Sequence, residues 1–158
     1  MPEVAKRTCG YCTACCKSLA VIELKKPPKE WCPHCNIGKG CDIYSTRPIS
    51  CVEYRCEWLK GFGDETVRPD HAKVILDYFI LPNGLTGGTF QMWEVSEGAL
   101  GRPFVKQLTP YILEAGIWVS HIPLRGRKKM FVPKGRFPTE DESSSMEEED
   151  FEVIAFQP

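Results

Sequence analysis

The stretch Cys9-Gly-Tyr-Cys12-Thr-Ala-Cys15-Cys16 governs how the N-terminal third of this chain can fold. Its first cysteines are separated by two-residue gaps. Such a gap lets two thiolates converge on one metal ion while backbone N–H groups donate to the sulfurs. Two gaps in series place three thiolates around one small volume. The stretch therefore predicts a metal site close to the N-terminus.

The other cysteines extend this pattern without leaving the first third of the chain. All nine lie between Cys9 and Cys56, and none occurs in the last 102 residues. The first residues contain no apolar core of signal-peptide length, and no run of 18 apolar residues occurs anywhere. We therefore expect a cytoplasmic protein that does not enter a membrane. Its thiols should stay reduced and bind metal rather than pair as disulfides.

Eight cysteines are the candidate metal ligands: Cys9, Cys12, Cys15, Cys16, Cys32, Cys41, Cys51 and Cys56. Cys35 and His34 are secondary candidates, because eight cysteines already complete two sets of four thiolates. The adjacent pair Cys15-Cys16 is informative, since successive side chains diverge by about 100° on a helix and about 180° on a strand. Either the two cysteines serve two nearby centres, or one of them stands outside the ligand set.

The spacings leave the metal open between zinc and an iron–sulfur cluster. Cys9-x2-Cys12-x2-Cys15 repeats the first three ligands of a bacterial ferredoxin, and Cys32-Pro33 resembles the distant fourth ligand. A ferredoxin places three residues before its next cysteine, however, whereas Cys16 follows Cys15 at once. The same spacings suit structural zinc equally well. Iron also needs an apolar shell, and the sequence of residues 1–61 offers little of one.

Further residues in this region resemble a known family. After the first cysteines come Trp31-Cys32-Pro33, then Gly40-Cys41-Asp-Ile-Tyr44-Ser-Thr-Arg47-Pro48, then Cys51 and Arg55-Cys56-Glu-Trp58. This arrangement resembles the CxxCxxCC (YkgJ-type) family of small bacterial cysteine-cluster proteins, which are described as chelating zinc or iron. The resemblance covers residues 8–59, about a third of the chain. It implies metal binding and no assigned activity.

A larger class, the flagellin lysine methylases, is similar in the same cysteine motif. This chain has no glycine-rich loop of the Gly-x-Gly-x-x-Gly type, so methyl transfer is not expected of it. No Ser/His/Asp order, paired-carboxylate motif or phosphate loop rises above chance. The catalytic residues are therefore unknown, and the sequence leaves open whether the protein is an enzyme.

We expect an α+β fold in three regions. Residues 1–61 form a loop-rich cysteine-cluster region that a bound metal organises, because it contains too few apolar residues for a core of its own. Residues 62–138 form a small β-β-α-β-β unit that packs against it, with strands over 72–81, 89–95, 117–124 and 129–132. A helix is predicted over 102–115, and Pro110 should kink or shorten it. Residues 139–158 form an acidic tail that is expected to be disordered.

Charge is divided unevenly among these regions. The first 60 residues carry a net charge of +4, residues 61–138 carry +3, and residues 139–158 carry −8. Several cations close to the cysteines in sequence are expected to offset the charge of the thiolates: Lys6, Arg7, Lys17, Lys39, Arg47 and Arg55. The acidic tail, or the basic hairpin at Arg125, Arg127, Lys128 and Lys129, is a candidate contact for a protein partner. Nucleic acid is not an expected partner, because the basic cluster lacks surrounding aromatic side chains.

These observations favour a cytoplasmic metal-binding protein whose cysteine cluster holds zinc or an iron–sulfur centre. Its cellular role would be metal handling, metal sensing or docking of a partner. One alternative is an iron–sulfur enzyme or electron carrier. The other is a protein-interaction module in which zinc is only a structural staple.

Overall fold

The structure is a computed structural model and describes residues 6–80 and 88–156. It is a mixed α+β fold, as the sequence predicts. The chain divides into two compact units, an N-terminal unit (Met1–Leu76) and a C-terminal unit (Asp77–Pro158). The division falls inside a strand, between Leu76 and Asp77. Among the described residues, no helix is long and apolar enough to cross a membrane.

The N-terminal unit is rich in loops and short elements. Its helices are α1 (Ala14–Ser18), α2 (Ile49–Glu53) and α3 (Pro69–Ala72), and its small hairpin pairs β1 (Cys35–Asn36) with β2 (Gly40–Cys41). Single 3-10 turns lie at Ile22–Leu24, Tyr44–Thr46 and Glu65–Val67. No described helix of this unit exceeds five residues, so regular secondary structure contributes little to its stability.

Long-range side-chain contacts hold these short elements together. The Arg7 guanidinium donates to the carbonyl oxygens of Trp58 (2.8 Å), Phe62 (3.0 Å) and Gly63 (2.6 Å), and it also stacks on the indole ring of Trp58. Trp58 is almost fully buried, and its indole N–H donates to the Asp64 carbonyl oxygen at 3.1 Å. One arginine therefore closes a loop of more than fifty residues around a buried aromatic ring.

A five-stranded sheet organises the rest of the chain. Its strands are β3 (Val74–Phe79), β4 (Thr89–Glu94), β5 (Trp118–Ile122), β6 (Lys128–Val132) and β7 (Phe151–Ala155), and they lie in the order β3-β4-β5-β6-β7. β4 and β5 are parallel, β5 and β6 antiparallel, and β6 and β7 parallel. The connection between β4 and β5 contains α4 (Pro103–Glu114). The β-β-α-β-β order is thus as predicted, although residue 81 of the first predicted strand lies outside the described residues.

The helix α4 runs through Pro110 and ends at Glu114, so of the two expected effects, a kink or a shorter helix, the shortening does not occur. Four residues on one side of α4 are buried: Val105, Thr109, Ile112 and Leu113. Their burial supplies the packing that compensates for the hydrogen bond a proline cannot make.

The acidic segment is folded, so the prediction of a disordered tail is wrong for residues 139–156, while residues 157 and 158 lie outside the described residues. Helix α5 (Glu140–Glu148) begins with a capping box. The Thr139 hydroxyl accepts from the Glu142 N–H at 3.2 Å, and the Glu142 carboxylate accepts from the Thr139 N–H at 2.9 Å. Arg136 forms an ion pair with the same carboxylate, which is buried.

Packing against the sheet completes this folded tail. Met146 of α5 is buried in one cluster with Trp118, Met130, Val132 and Phe151. Phe151 opens β7, which extends the sheet beside β6 with five residue pairs in register. Composition alone suggests disorder, but a capped helix that buries one methionine and leads into an edge strand gains enough from docking to fold.

Candidate metal centre

Seven cysteines line one cavity of about 260 Å³ in the N-terminal unit. They are Cys9, Cys12, Cys15, Cys16, Cys32, Cys41 and Cys51. All seven are among the eight primary ligand candidates. Among the described residues that line this cysteine cavity there is no histidine, aspartate or glutamate, so sulfur is the dominant donor atom.

Tight turns and short helices bring these cysteines together. Two of the three two-residue gaps close a turn, in which the Cys12 N–H donates to the Cys9 carbonyl oxygen (2.9 Å) and the Cys35 N–H to that of Cys32 (3.0 Å). Helix α1 carries Cys15 and Cys16 on neighbouring positions, and α2 carries Cys51. The Cys32 N–H donates to the Cys16 carbonyl oxygen at 2.9 Å and so joins the second motif to the first.

Three of the sequence candidates do not line the cavity: Cys35, Cys56 and His34. Cys56 is buried elsewhere in the N-terminal unit, where its carbonyl oxygen accepts from the Lys60 N–H. Cys35 is half-buried, and burial together with the nearby Cys16 raises its pKa. Cys35 therefore lies near Cys16 without lining the cavity.

All nine cysteines lie within the described residues, and all are free thiols. Burial raises the pKa of Cys12 to about 11 and that of Cys35 to about 12. The pKa of Cys16 is raised by its hydrogen bond to Cys15 and by burial. Cys12, Cys16 and Cys35 are thus protonated at neutral pH. Within the described part of the chain, no three His, Cys, Asp or Glu side chains converge closely enough to hold a metal ion.

Three cations lie near the thiols. Arg47 lines the cavity, and Arg47 and Arg68 both lower the pKa of Cys9, which burial raises overall. Lys26 acts electrostatically on Cys15, Cys16 and Cys32. Of the cations proposed from sequence, Arg47 is therefore close to a thiol, while Arg7 lies against Trp58.

Lys26 is a buried lysine that the sequence analysis missed. Its ammonium group donates to the carbonyl oxygens of Lys17 (3.2 Å), Leu19 and Pro27 (2.9 Å), and burial lowers its pKa. The apolar run at residues 19–24, which follows α1, does not form a strand. The chain turns back at residues 22–24, and Val21 and Lys26 form a single bridge. Nothing in the local sequence distinguishes Lys26 from its exposed neighbour Lys25.

Arg68 is the other missed cation. It is 59 positions from Cys9, yet its guanidinium donates to the Cys9 carbonyl oxygen at 3.0 Å and forms an ion pair with Asp70 at 2.9 Å. Gly10 makes this approach possible, because it adopts a left-handed conformation (φ +54°) and a Cβ there would lie 3.2 Å from the guanidinium. No pattern in the sequence could have identified so distant a partner.

The remaining walls of the cavity are largely apolar. They include Leu19, Ala20, Val21, Leu24, Ile43 and Pro48, together with the rings of Tyr44 and Tyr54. The sequence suggested that residues 1–61 could offer little apolar shell. The structure instead gathers apolar side chains from the 19–24 segment and from residues 43–48 around the thiols.

No family model, curated protein or solved structure matches this chain. The likeness of residues 8–59 to the CxxCxxCC proteins therefore stays a prediction from the motif.

The two surfaces suggested for a protein partner lie in the C-terminal unit and touch each other. Arg127 of the basic hairpin forms an exposed ion pair with Asp150 at 3.3 Å. The Lys128 ammonium lies 4.4 Å from the centre of the Phe151 ring. The basic hairpin and the acidic segment thus partly neutralise one another.

Proposed function

We propose that this protein binds metal, and that the cysteine cavity holds a thiolate-ligated centre of more than one metal ion. The observation that supports this most directly is that seven cysteines from four chain segments line one cavity. A structural zinc ion takes four ligands in a tetrahedral site. Seven thiols exceed that number, so the donor set suits either bridged zinc ions or an iron–sulfur cluster.

The donor chemistry restricts the choice of metal. Thiolates are the ligands that zinc, copper(I) and iron–sulfur clusters prefer, whereas magnesium, calcium and manganese prefer oxygen. The apolar side chains of Leu19, Val21 and Leu24 in the cavity wall favour an iron–sulfur cluster over zinc or copper(I). Apolar surroundings limit the access of solvent to such a cluster and influence its reduction potential. When bound, the metal would supply the cross-links that join α1, β2 and α2.

Charge supports the same proposal. Thiolate-ligated zinc and iron–sulfur centres carry net negative charge, and burying that charge is costly without nearby cations. Arg47, Arg68 and Lys26 place three positive charges near the thiols. Burial raises the pKa of Cys9, Cys12 and Cys51, which line the cavity, so metal binding to these thiols must release protons, and affinity should fall as pH is lowered.

Elemental analysis of protein purified without air or chelator tests the proposal. We expect more than one zinc or iron per chain. Iron in an iron–sulfur cluster gives a brown protein with visible absorption, whereas zinc leaves the protein colourless. Transition metal absent from the purified protein, with all nine thiols reacting freely, would contradict metal binding.

Two cysteine variants test where the metal is held. Cys51→Ser removes a thiol that lines the cavity and should lose metal. Because metal binding and folding are coupled, with about 10 kcal/mol or more at stake for a structural zinc, this variant should also be largely unfolded over the cysteine region. Cys56→Ala removes a buried thiol outside the cavity and should retain its metal. Loss of metal from Cys56→Ala with retention in Cys51→Ser would place the ligands elsewhere.

A further inference from the structure

We propose that a second cavity, in the C-terminal unit, binds a small amphipathic carboxylate, whose charged end lies near Lys106 and His121 and whose apolar body contacts the sheet. The cavity has a volume of about 680 Å³. Cavities that bind small molecules commonly measure about 300–1,000 Å³ and combine apolar walls with a few polar groups. Of the described residues, none lines both this second cavity and the cysteine cavity. The carboxylate site therefore shares no side chain with the proposed metal centre.

The second cavity is bounded by one helix and three neighbouring strands. The helix is α4, which lies in the connection between the parallel strands β4 and β5 and contacts β5. The strands are β5, β6 and β7, which are consecutive in the sheet. Most of the wall is thus held by regular secondary structure, which keeps its side chains in fixed positions.

Most of the wall is also apolar. The apolar residues that line it include Leu100, Val105, Leu113, Phe131, Ile154 and Phe156. Val105 and Leu113 on α4 are buried, whereas Ile154 and Phe156 at the sheet edge are half-buried. Part of this apolar surface is therefore open to a molecule in solution, and covering it with an aliphatic chain would be favourable.

Thr109 and His121 form the polar part of the wall. The Thr109 hydroxyl lies 2.9 Å from Nε2 of His121. Burial, with a smaller contribution from Lys129, lowers the pKa of His121 to about 4, so at neutral pH its ring is uncharged and has a single N–H. The one hydroxyl proton of Thr109 goes to this nitrogen, because the Met92 sulfur at 3.8 Å is a much weaker acceptor. The ring proton is then on Nδ1, from which it can be donated to a ligand oxygen.

Lys106 gives the second cavity a positive charge. Of the described residues that line the cavity, none is acidic. The residues three and four positions from Lys106 along α4 and its N-cap are not acidic either: Arg102, Pro103, Thr109 and Pro110. No neighbour on the helix therefore neutralises the ammonium group. One positive charge and one ring N–H match a single carboxylate, and the apolar wall favours a carboxylate that has an aliphatic body.

Isothermal titration calorimetry of the full chain tests this site with three ligands of equal chain length: octanoate, octanol and octylammonium. Octanoate should bind at a single site with a dissociation constant below about 1 mM and about tenfold more tightly than octanol, because only the acid can pair with Lys106 and accept from His121. Octylammonium should bind more weakly than octanol. Absence of saturable octanoate binding in the millimolar range would overturn the proposal. Equal affinity for acid and alcohol would do the same, because the cavity would then be an apolar groove without a carboxylate site.

Substitutions of lysine test the charge. Lys106→Met should weaken octanoate binding about fivefold, since Lys106 is exposed and exposed ion pairs contribute modestly, while octanol binding should change little. Lys106→Arg keeps the charge and should retain most of the affinity. Lys134→Met is the matched control, because Lys134 is an exposed lysine of the same unit that pairs with Glu114 at 3.0 Å and does not line the cavity. Equal weakening by Lys106→Met and Lys134→Met would show a general effect of net charge and overturn the assignment.

The histidine ring-proton signals in NMR spectra locate the ligand in the unaltered protein. The chain has three histidines, His34, His71 and His121, and His121 is the one in the C-terminal unit. Octanoate should shift the His121 signal in proportion to the occupancy of the site and leave the other two unchanged. His121→Gln identifies that signal by its loss. Octanoate binding that shifts His34 or His71 instead, or that leaves His121 unshifted at saturation, would place the ligand elsewhere and overturn the proposal.

Discussion

Met146 provides the sharpest test of the folded acidic segment. Its side chain is 2% exposed and packs in a cluster with Trp118, Met130, Val132 and Phe151. Met146→Ala would remove a buried side chain between α5 and the sheet. Comparable truncations of buried Leu, Ile and Met residues cost about 2–5 kcal/mol, through lost burial and the cavity left behind.

We expect a loss of about 2–4 kcal/mol for this change, because α5 is a short helix and can shift to fill part of the cavity. The free energy of unfolding of a small domain is only about 5–15 kcal/mol, so such a loss is a large fraction of the stability. Urea unfolding followed by tryptophan fluorescence is a suitable assay, since Trp118 belongs to the same cluster. The midpoint should fall, and the slope should stay nearly unchanged if only the native state is affected.

Glu147→Ala is the matched control. Glu147 is the next residue of α5 and is exposed, so its replacement should change stability by no more than about 0.5 kcal/mol. Alanine also favours a helix slightly more than methionine or glutamate does, which works against a loss in either variant. Equal and negligible effects of the two substitutions would refute the packing of α5 and restore the disorder expected from composition.

The other predictions concern single polar side chains in each unit. Lys26→Met should destabilise the N-terminal unit by about 2–4 kcal/mol, because three part-buried carbonyl oxygens lose their donor. Thermal unfolding followed by tryptophan fluorescence, to which Trp58 of this unit contributes, measures this loss. A near-normal melting temperature would contradict the burial of the ammonium group. His121 is expected to make the C-terminal unit sensitive to acid. Burial, with a smaller contribution from Lys129, lowers its pKa from 6.5 to about 4. The unfolded chain therefore takes up this proton first as pH falls. Its stabilising contribution is complete above about pH 6.5 and is lost towards pH 4, with a total of about 3 kcal/mol. Urea unfolding at a series of pH values should show this slope, and His121→Gln should flatten it; an unchanged slope in that variant would assign the acid sensitivity to other groups.

Much of the candidate site could be predicted because its pattern is local. Two of the two-residue gaps between cysteines close local turns, which the Cys12 and Cys35 N–H groups make. The helix predicted over 102–115 likewise has a local signal, because a proline stands at its first turn. Cys56 shows the limit of such reasoning, since its place in a motif did not bring it to the cavity.

The sequence of the folded acidic segment also contains a local signal for a helix. Thr139 and Glu142 stand at the spacing of a capping box, which is a helix start visible in sequence. Composition pointed the other way, because most of the following residues are acidic or serine. What composition could not reveal is that Met146 has a buried cluster to enter. That burial depends on side chains of the sheet as much as on the acidic segment itself.

The residues around the thiols therefore divide into two groups. Cysteine spacing and the proline at the start of α4 act between neighbours in the chain, so they could be recognised in the order of the amino acids. The approach of Arg68 to Cys9 and the exclusion of Cys56 depend on hydrogen bonds and packing across as many as 59 positions. Such contacts form only when distant segments meet, because their free energy comes from desolvation and geometry that no single segment possesses.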